Sequence, residues 1–543
     1  MAVARRRVLY IPGYDPIPPR RYRELYRREG AEQARIAGYA LTLGARRDRG
    51  GFGWGVTGVF PDATPDTTEG ETAGRSRHGG TESSKTAAGG DGEARTRGEA
   101  GACGCSCRPA PDGAPGTGRN VDAAPARACQ GMPAEGGPSA ASTMDAGHGE
   151  NPGATAGIAQ DRNGTSPAPT DSHAPAVATD RERRQAAGQR MAAATPRQAG
   201  TDAPPASAAP ARRVETEIEV LVWSDVVAAS MGRSILATYG QLLRTAWIYI
   251  VSGALVAMMR LRRGPVLAAL YPVAVLLVQA LLAAVAATAA GWATTRLAPW
   301  WVALAPAAVA FVAVLIGCKR LDGRLFAHYL MHDYAFTARL RGAYPPELEA
   351  RITRFADRLA ETLADDWDEV LVVGHSSGAY LAVSVLAELT RRESPDPRLA
   401  LLTLGHVVPM AAFLPQARRL RGDLATVSAS PIPWVDVTAP GDACSFGLCD
   451  PVATSGVEPE TRNGPLVLSA AFSQTLSPQR LRALRHRWFR LHFQYLCAFD
   501  HPESYDYFAI TAGPLTLAER FAGRRHSPGR ITRAVSPYRD RAA

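Results

Sequence analysis

The stretch that decides the fold is "DEVLVVGHSSGAYLAVSVLAEL", residues 368–389. A short apolar run leads into "GHSSG", and a sequence with the composition and length of a helix follows at once. An apolar run of this length, stopped by glycine and followed by a helix pattern, predicts a buried strand and then a sharp turn into a helix. The G-x-S-x-G spacing in this context predicts that Ser376 projects its hydroxyl from the turn as a nucleophile.

The residues around Ser376 suit that chemistry. Gly374 and Gly378 allow neighbouring elements to approach the turn closely. The amino terminus of the following helix favours negative charge, so the backbone N–H of Ser377 is predicted to be one donor of an oxyanion hole. The alternative interpretation is a Gly/Ser-rich turn between a strand and a helix that carries no chemistry.

Strand and helix patterns alternate on both sides of this turn. The stretch "PPELEARITRFADRLAETLADD", residues 345–366, places Ile352, Phe355, Leu359 and Leu363 on one helical stripe. Alternation of this kind predicts an open, mostly parallel sheet of the α/β class. The other predicted strands are "RRVLYI", "YALTL", "GFGWGVTGVF", "VETEIEVLVW", "LALLTLGHVV", "IPWVDVTAP" and "GPLVLSAAF".

Residues 62–212 differ from the rest of the chain. They consist of Gly, Ala, Pro, Thr, Ser and scattered charge, so they cannot bury enough apolar area to offset the entropy of ordering. We therefore predict a disordered insertion between two strands. The "CGCSC" cluster, Cys103 to Cys107, could bind a metal ion, but no second cluster at ligand spacing accompanies it, and no metal or cofactor is expected.

A membrane-associated segment is predicted at residues 245–320. Residues 266–292 and 298–318 carry no charge, and each run is long enough to cross a bilayer core. We predict two transmembrane helices joined as a hairpin, and residues 245–259 as a shorter segment at the interface or against the protein. The alternative is a pair of buried helices in a soluble protein.

The charge distribution predicts the orientation of this hairpin. Basic residues lie outside both spans, whereas the connector carries one, so both outer ends are expected on the cytoplasmic side of a bacterial inner membrane. The net charge of +10 is scattered, which suits an anionic membrane surface and argues against nucleic-acid binding. The outer basic residues are Arg260, Arg262, Arg263, Lys319, Arg320 and Arg324, and the connector has Arg296.

The turn at Ser376 resembles the nucleophile elbow of the α/β-hydrolase superfamily in its lipase and esterase form, in which His commonly precedes the serine. This resemblance extends over roughly residues 5–60, 213–240 and 325–515. It implies a triad in the order nucleophile, acid, histidine, with the acid placed after a later strand. No organic cofactor is implied.

Two later residues are predicted to complete the triad. Asp442 lies in a turn directly after the strand at "IPWVDVTAP", and Asp436 within that strand is the second candidate. His492 is flanked by aromatic and apolar residues, which suit a general base in a partly dry setting. His501 and His486 stay open as alternatives.

The second oxyanion donor of the superfamily comes from the loop after an early strand. "YIPGYDP" matches that position, with Pro12 where the family usually has His, and the Tyr14 amide is the candidate donor. Because the chain begins at this strand, the first two strands of the superfamily are expected to be missing. The hydrolase domain is then predicted at residues 1–61, 213–244 and 321–520, followed by a basic flexible tail at 521–543.

These patterns together predict a membrane-anchored serine hydrolase that cleaves an ester through an acyl-enzyme, with the bilayer and a lipidic or acyl-chain ester as its partners. An even number of membrane crossings keeps the first strand and the elbow on the same side. The alternative is a catalytically inactive membrane scaffold of the same fold that binds a protein partner. A small transporter component is disfavoured because the two spans contain no intramembrane charge.

Overall fold

The computed structural model describes residues 3–46, 50–61, 211–231, 234–502 and 504–542. The predicted insertion at 62–212 therefore lies outside the described residues, apart from its last two, which begin a strand. The strands are β1 (Arg5–Ile11), β2 (Ala40–Gly44), β3 (Phe52–Pro61), β4 (Ala211–Val220), β5 (Glu369–His375), β6 (Leu399–Leu404), β7 (Trp434–Thr438) and β8 (Leu466–Ser469).

Helices connect these strands and cover them. Those before β5 are α1 (Arg20–Ala37), α2 (Ser224–Ser230), α3 (Ile235–Val251), α4 (Ala254–Met259), α5 (Arg263–Thr295), α6 (Leu304–Arg320), α7 (Asp322–Leu325), α8 (Ala327–Ala338) and α9 (Pro346–Leu363). Those after β5 are α10 (Ser377–Arg392), α11 (Val408–Ala412), α12 (Arg418–Ala429), α13 (Pro451–Ser455), α14 (Phe472–Thr475), α15 (Pro478–Leu484), α16 (Trp488–His492), α17 (Tyr507–Ala512) and α18 (Leu517–Arg520), with a 3₁₀ turn at Phe493–Leu496.

The eight strands form one sheet in the order β2-β3-β4-β1-β5-β6-β7-β8. All neighbours from β4 to β8 pair in parallel, whereas β3 runs antiparallel to both β2 and β4. The α/β class is confirmed, and the sheet is mixed. The described part of the chain has no strand before β1, and β2 and β3 follow β1 in sequence and extend the sheet beyond β4.

Both faces of the sheet are buried, as parallel strands require. Val370 and Val372 of β5 belong to the core layer that contains α9 and α10, whereas Leu371 and Val373 belong to the opposite layer. Tyr26 of α1 packs in that second layer. The unbroken apolar run in β5 is explained by this burial on two sides.

The predicted stripe on α9 is present. Ile352, Phe355 and Leu359 are buried against the first core layer, and Leu363 packs at its edge. Pro346 occupies the first helical position, where its missing N–H has no intrahelical partner to lose. The stripe therefore fixes α9 beside α10, which it contacts.

One described helix, α5, is long and apolar enough to cross a membrane, and the predicted span at 266–292 lies within it. The second predicted span at 298–318 becomes helical only at Leu304, because residues 298–303 form turns, and α6 has 17 residues. The two helices contact each other, with Gly291 facing Ala307. Residues 245–259 form the end of α3 and all of α4, and the Tyr249 hydroxyl donates to the Met410 carbonyl at 2.9 Å.

The C-terminal segment differs from the predicted flexible tail. Ile531 pairs with Cys449 in a parallel bridge, and the buried Arg421 binds the Asp540 carboxylate at 2.7 Å. Ile531 and Val535 pack on the first core layer. The basic residues of this segment suggested a solvated tail, but the apolar side chains of Ile531 and Val535 hold residues 521–542 against the rest of the fold.

Candidate active site

Ser376 lies at the turn between β5 and α10. Its backbone has φ +59° and ψ −122°, a left-handed conformation that costs a non-glycine residue about 1–3 kcal/mol. The Ser376 amide donates to the carbonyl of Leu404 at the end of β6, which fixes the turn at the carboxyl edge of the sheet. The side chain is half-buried. The sequence thus places a strained serine where a nucleophile elbow was predicted.

The two predicted elbow glycines are required by packing. A Cβ on Gly374 would lie 2.7 Å from Ala379 Cα, and one on Gly378 would lie 2.6 Å from the Pro12 carbonyl oxygen. Real Cβ atoms essentially never come within 3.0 Å of another heavy atom. Any larger residue would therefore separate the helix from the strand or from the loop after β1.

The loop after β1 lies directly over the serine. A Cβ built on Gly13 would be 3.4 Å from Ser376 Oγ. Tyr14 is held on both sides, because its hydroxyl bonds Ser230 Oγ at 2.6 Å and its carbonyl accepts a hydrogen bond from the Tyr329 hydroxyl. Ser377 begins α10, so its amide has no acceptor within the helix. The oxyanion roles of the Tyr14 and Ser377 amides stay predictions.

Asp442 and His492 are brought together. His492 Nδ1 is 2.8 Å from Asp442 Oδ2, and both side chains are buried. The Tyr495 hydroxyl donates to the same carboxylate oxygen at 3.0 Å, and the Cys444 amide donates to Oδ1 at 2.9 Å. Burial by itself raises the pKa of Asp442, but His492, the Cys444 amide and the Ser445 side chain outweigh it and hold the pKa below its usual value. The carboxylate is therefore charged and orients the imidazole.

His375 contributes a support that sequence reasoning did not assign. Its Nε2 donates to the backbone carbonyl of His492 at 3.0 Å, and the two ring centroids are 4.8 Å apart. Burial lowers the pKa of His375 to about 3, with His492 acting in the same direction. The ring is neutral at physiological pH and works as a fixed donor. The one feature of the sequence that could have indicated this role is that His375 directly precedes Ser376.

The alternative residues occupy other places. Asp436 is buried in β7, where it accepts a hydrogen bond from Thr403 Oγ1 at 2.6 Å, and burial raises its pKa to about 6 despite the nearby His406. His486 is exposed and accepts a hydrogen bond from the Arg485 guanidinium at 2.9 Å. The exposed His501 lies on the surface loop before α17.

Ser376 and His492 line one cavity of about 80 Å³. Within the described ranges no hydrogen bond joins the two side chains, and such bonds are often long before substrate binds. Asp333 of α8 also lines the cavity, and burial raises its pKa to about 7, although His492 opposes the shift. Two residues of α5, Ala268 and Tyr271, complete part of the wall. Sequence reasoning missed Asp333 and both α5 residues.

No cluster of His, Cys, Asp or Glu suited to a metal ion occurs in the part of the chain that the structure describes, and the cysteines of "CGCSC" lie outside it. No protein-family model, curated protein or solved structure matches the chain.

Proposed function

We propose that this chain is a serine hydrolase that cleaves an ester bond of a membrane amphiphile. The observation that carries the proposal is the strained Ser376 at the carboxyl edge of the sheet, in one cavity with an imidazole that is oriented by a buried carboxylate. Strain of this kind needs support from the surrounding structure and is concentrated at functional sites.

The reaction would proceed through an acyl-enzyme. His492 would remove the Ser376 proton while Ser376 Oγ attacks the ester carbonyl, and Asp442 would stabilise the resulting imidazolium. The Tyr14 and Ser377 amides would bind the oxyanion. His492 would return the proton to the leaving alcohol, and a water activated by the same ring would then release the acid.

The arrangement also supports membership of the α/β-hydrolase superfamily as a proposal. The serine follows the central strand β5, the acid follows β7, and the histidine comes later in the chain. Two parallel strands therefore present the nucleophile and the acid at the same edge of the sheet, which is the order that the resemblance implies.

Attachment to a bilayer through α5 and α6 is part of the proposal. Several apolar side chains of α3, α5 and α6 are more than half exposed, which is costly in water and favourable in lipid. The basic residues outside the two predicted spans would place the catalytic domain on the cytoplasmic side of an inner membrane. Those exposed residues include Leu243, Trp247, Leu277, Leu281 and Val309.

Active-site labelling tests the proposal. A fluorophosphonate should modify the detergent-solubilised protein at Ser376, and Ser376→Ala should abolish labelling. Ser234→Ala is the matched control, since Ser234 is exposed and makes no cap hydrogen bond, and it should label like the parent. Absence of labelling in folded protein would instead favour the inactive scaffold. A labelled enzyme that hydrolyses short soluble esters but no long-chain ester would refute the amphiphilic substrate.

A further inference from the structure

A surface groove adjoins the catalytic cavity and differs from it in chemistry. It has a volume of about 810 Å³ and lies between α1, α15 and α16. We name it the arginine groove, and Arg487 and Arg490 together with the apolar Ile17, Phe326 and Leu484 are the residues that define it here. A pocket of this size can hold a ligand of many atoms, whereas the catalytic cavity accommodates only a few.

Each of the other basic residues of the groove has a carboxylate partner. Arg480 lies 3.2 Å from Asp500, Arg28 lies 3.0 Å from Glu29, and Arg21 pairs with a carboxylate of the same wall. Asp322, the remaining acid, is 3.2 Å from a histidine nitrogen.

Arg487 and Arg490 differ from these, because neither forms an ion pair or a side-chain hydrogen bond within the described part of the chain. Both are exposed to solvent. The groove therefore holds two positive charges without a protein counter-charge, next to apolar side chains.

These two arginines lie beside the proposed membrane helix. Trp488, between them in sequence, packs edge-on against Tyr271 of α5 with ring centroids 5.9 Å apart. Tyr271 is near the start of α5, at the end that the charge distribution assigns to the cytoplasmic interface. Tryptophan and arginine at this depth are the residues that contact lipid headgroups.

The arginine groove and the catalytic cavity adjoin each other and share part of their lining. Asp15, Tyr329, Phe489 and Phe493 line both of them. An ester carbonyl placed at Ser376 would therefore leave the rest of the molecule directed into the arginine groove, where apolar and cationic surfaces alternate.

We propose that the arginine groove binds the anionic headgroup of a phospholipid whose acyl ester enters the catalytic cavity. This inference rests on the proposed hydrolase function and names the substrate class. Two uncompensated guanidinium groups favour a headgroup with net negative charge over a zwitterionic one, because a headgroup ammonium would lie against them. Apolar walls favour a lipid over free phosphate.

Binding to the Ser376→Ala protein tests this without turnover. Calorimetry in a neutral detergent would compare dihexanoyl-phosphatidylglycerol, dihexanoyl-phosphatidylcholine and glycerol phosphate. The anionic lipid should bind about 25-fold more tightly than the zwitterionic one, since each basic residue near an anionic lipid contributes about fivefold. Glycerol phosphate should bind weakly because it lacks acyl chains.

Two double variants made in the Ser376→Ala background assign the effect to the groove. Arg487→Gln/Arg490→Gln should abolish the preference for the anionic lipid. Arg482→Gln/Arg485→Gln removes the same charge from neighbouring positions outside the groove and should preserve it. Equal affinity for both lipids, or a preference that survives Arg487→Gln/Arg490→Gln, would overturn the inference. Tight binding of glycerol phosphate would overturn the lipid assignment.

Failure of the headgroup inference can be distinguished from failure of the hydrolase proposal. Labelling of Ser376 together with no headgroup preference would remove this inference and leave the reaction intact. Selective anionic binding without labelling would retain the groove as a lipid site and refute the hydrolase.

Discussion

Replacing Ser376 by glycine should give a more stable protein than replacing it by alanine. Both changes remove the same hydroxyl, but only glycine adopts φ +59° and ψ −122° without steric cost. Relief of about 1–3 kcal/mol of backbone strain is opposed by about 0.5–1 kcal/mol of extra glycine chain entropy in the unfolded state. The expected advantage of Ser376→Gly is about 0.5–2 kcal/mol.

The assay is thermal unfolding of both variants in the same detergent, followed by circular dichroism. A difference of about 1 kcal/mol corresponds to a shift in the midpoint of about 2–4 °C for a domain of some 200 residues, and a larger domain shifts somewhat less. Ser430 provides the control, since it has φ −70° and ψ 158°. There the alanine variant should be the more stable one.

If the alanine variant were the more stable one at position 376 as well as at position 430, the inference of backbone strain at Ser376 would be refuted. Ser376→Ala would then equal or exceed Ser376→Gly, and the backbone at this residue would carry no excess energy. The catalytic interpretation of the elbow would lose its main physical support, because an unstrained serine at this point is an ordinary turn residue.

Three further predictions concern residues around the site. Burial raises the pKa of Asp333 to about 7, so the folded carboxyl stays protonated while the unfolded one ionises near pH 4. The free energy of unfolding should therefore fall as the pH rises from about 4 to 7, and Asp333→Asn should make this dependence on pH weaker. An equal dependence of the melting temperature on pH in the parent protein and in Asp333→Asn would contradict the prediction. Gly378→Ala should destabilise by about 2–3 kcal/mol in the same melts because its Cβ meets backbone oxygens of the β1 loop. Tyr495→Phe removes a donor to Asp442 and should lower kcat/KM for ester hydrolysis about tenfold, and unchanged kcat/KM would exclude a role for that bond.

Local pattern was sufficient to predict the sharp turn at Ser376 between β5 and α10. The apolar run of β5, the flanking glycines and the helix composition of α10 all lie within residues 368–389, so no distant contact had to be known. Asp442 was predictable for a related reason, since a polar residue directly after a parallel strand is placed at the carboxyl edge by the strand itself.

Residues positioned by distant packing were not predictable. Asp333 enters the cavity only because α8 lies over it, and nothing in "MHDYAF" fixes where α8 packs. The bond from His375 to the His492 carbonyl joins positions 117 residues apart. The C-terminal segment was predicted to be flexible because of its arginines, but Ile531 and Val535 pack on the core and decide its position.

The wall that Ala268 and Tyr271 contribute to the catalytic cavity has a practical consequence. Deleting residues 245–320 to obtain a water-soluble protein would remove part of the wall of this cavity. Water would then reach Ser376, and the acyl group that the proposed reaction places on it, from a new side. Because the proposed membrane helix α5 also forms this wall, we expect that purification has to keep α5 and a surrounding layer of detergent or lipid in place.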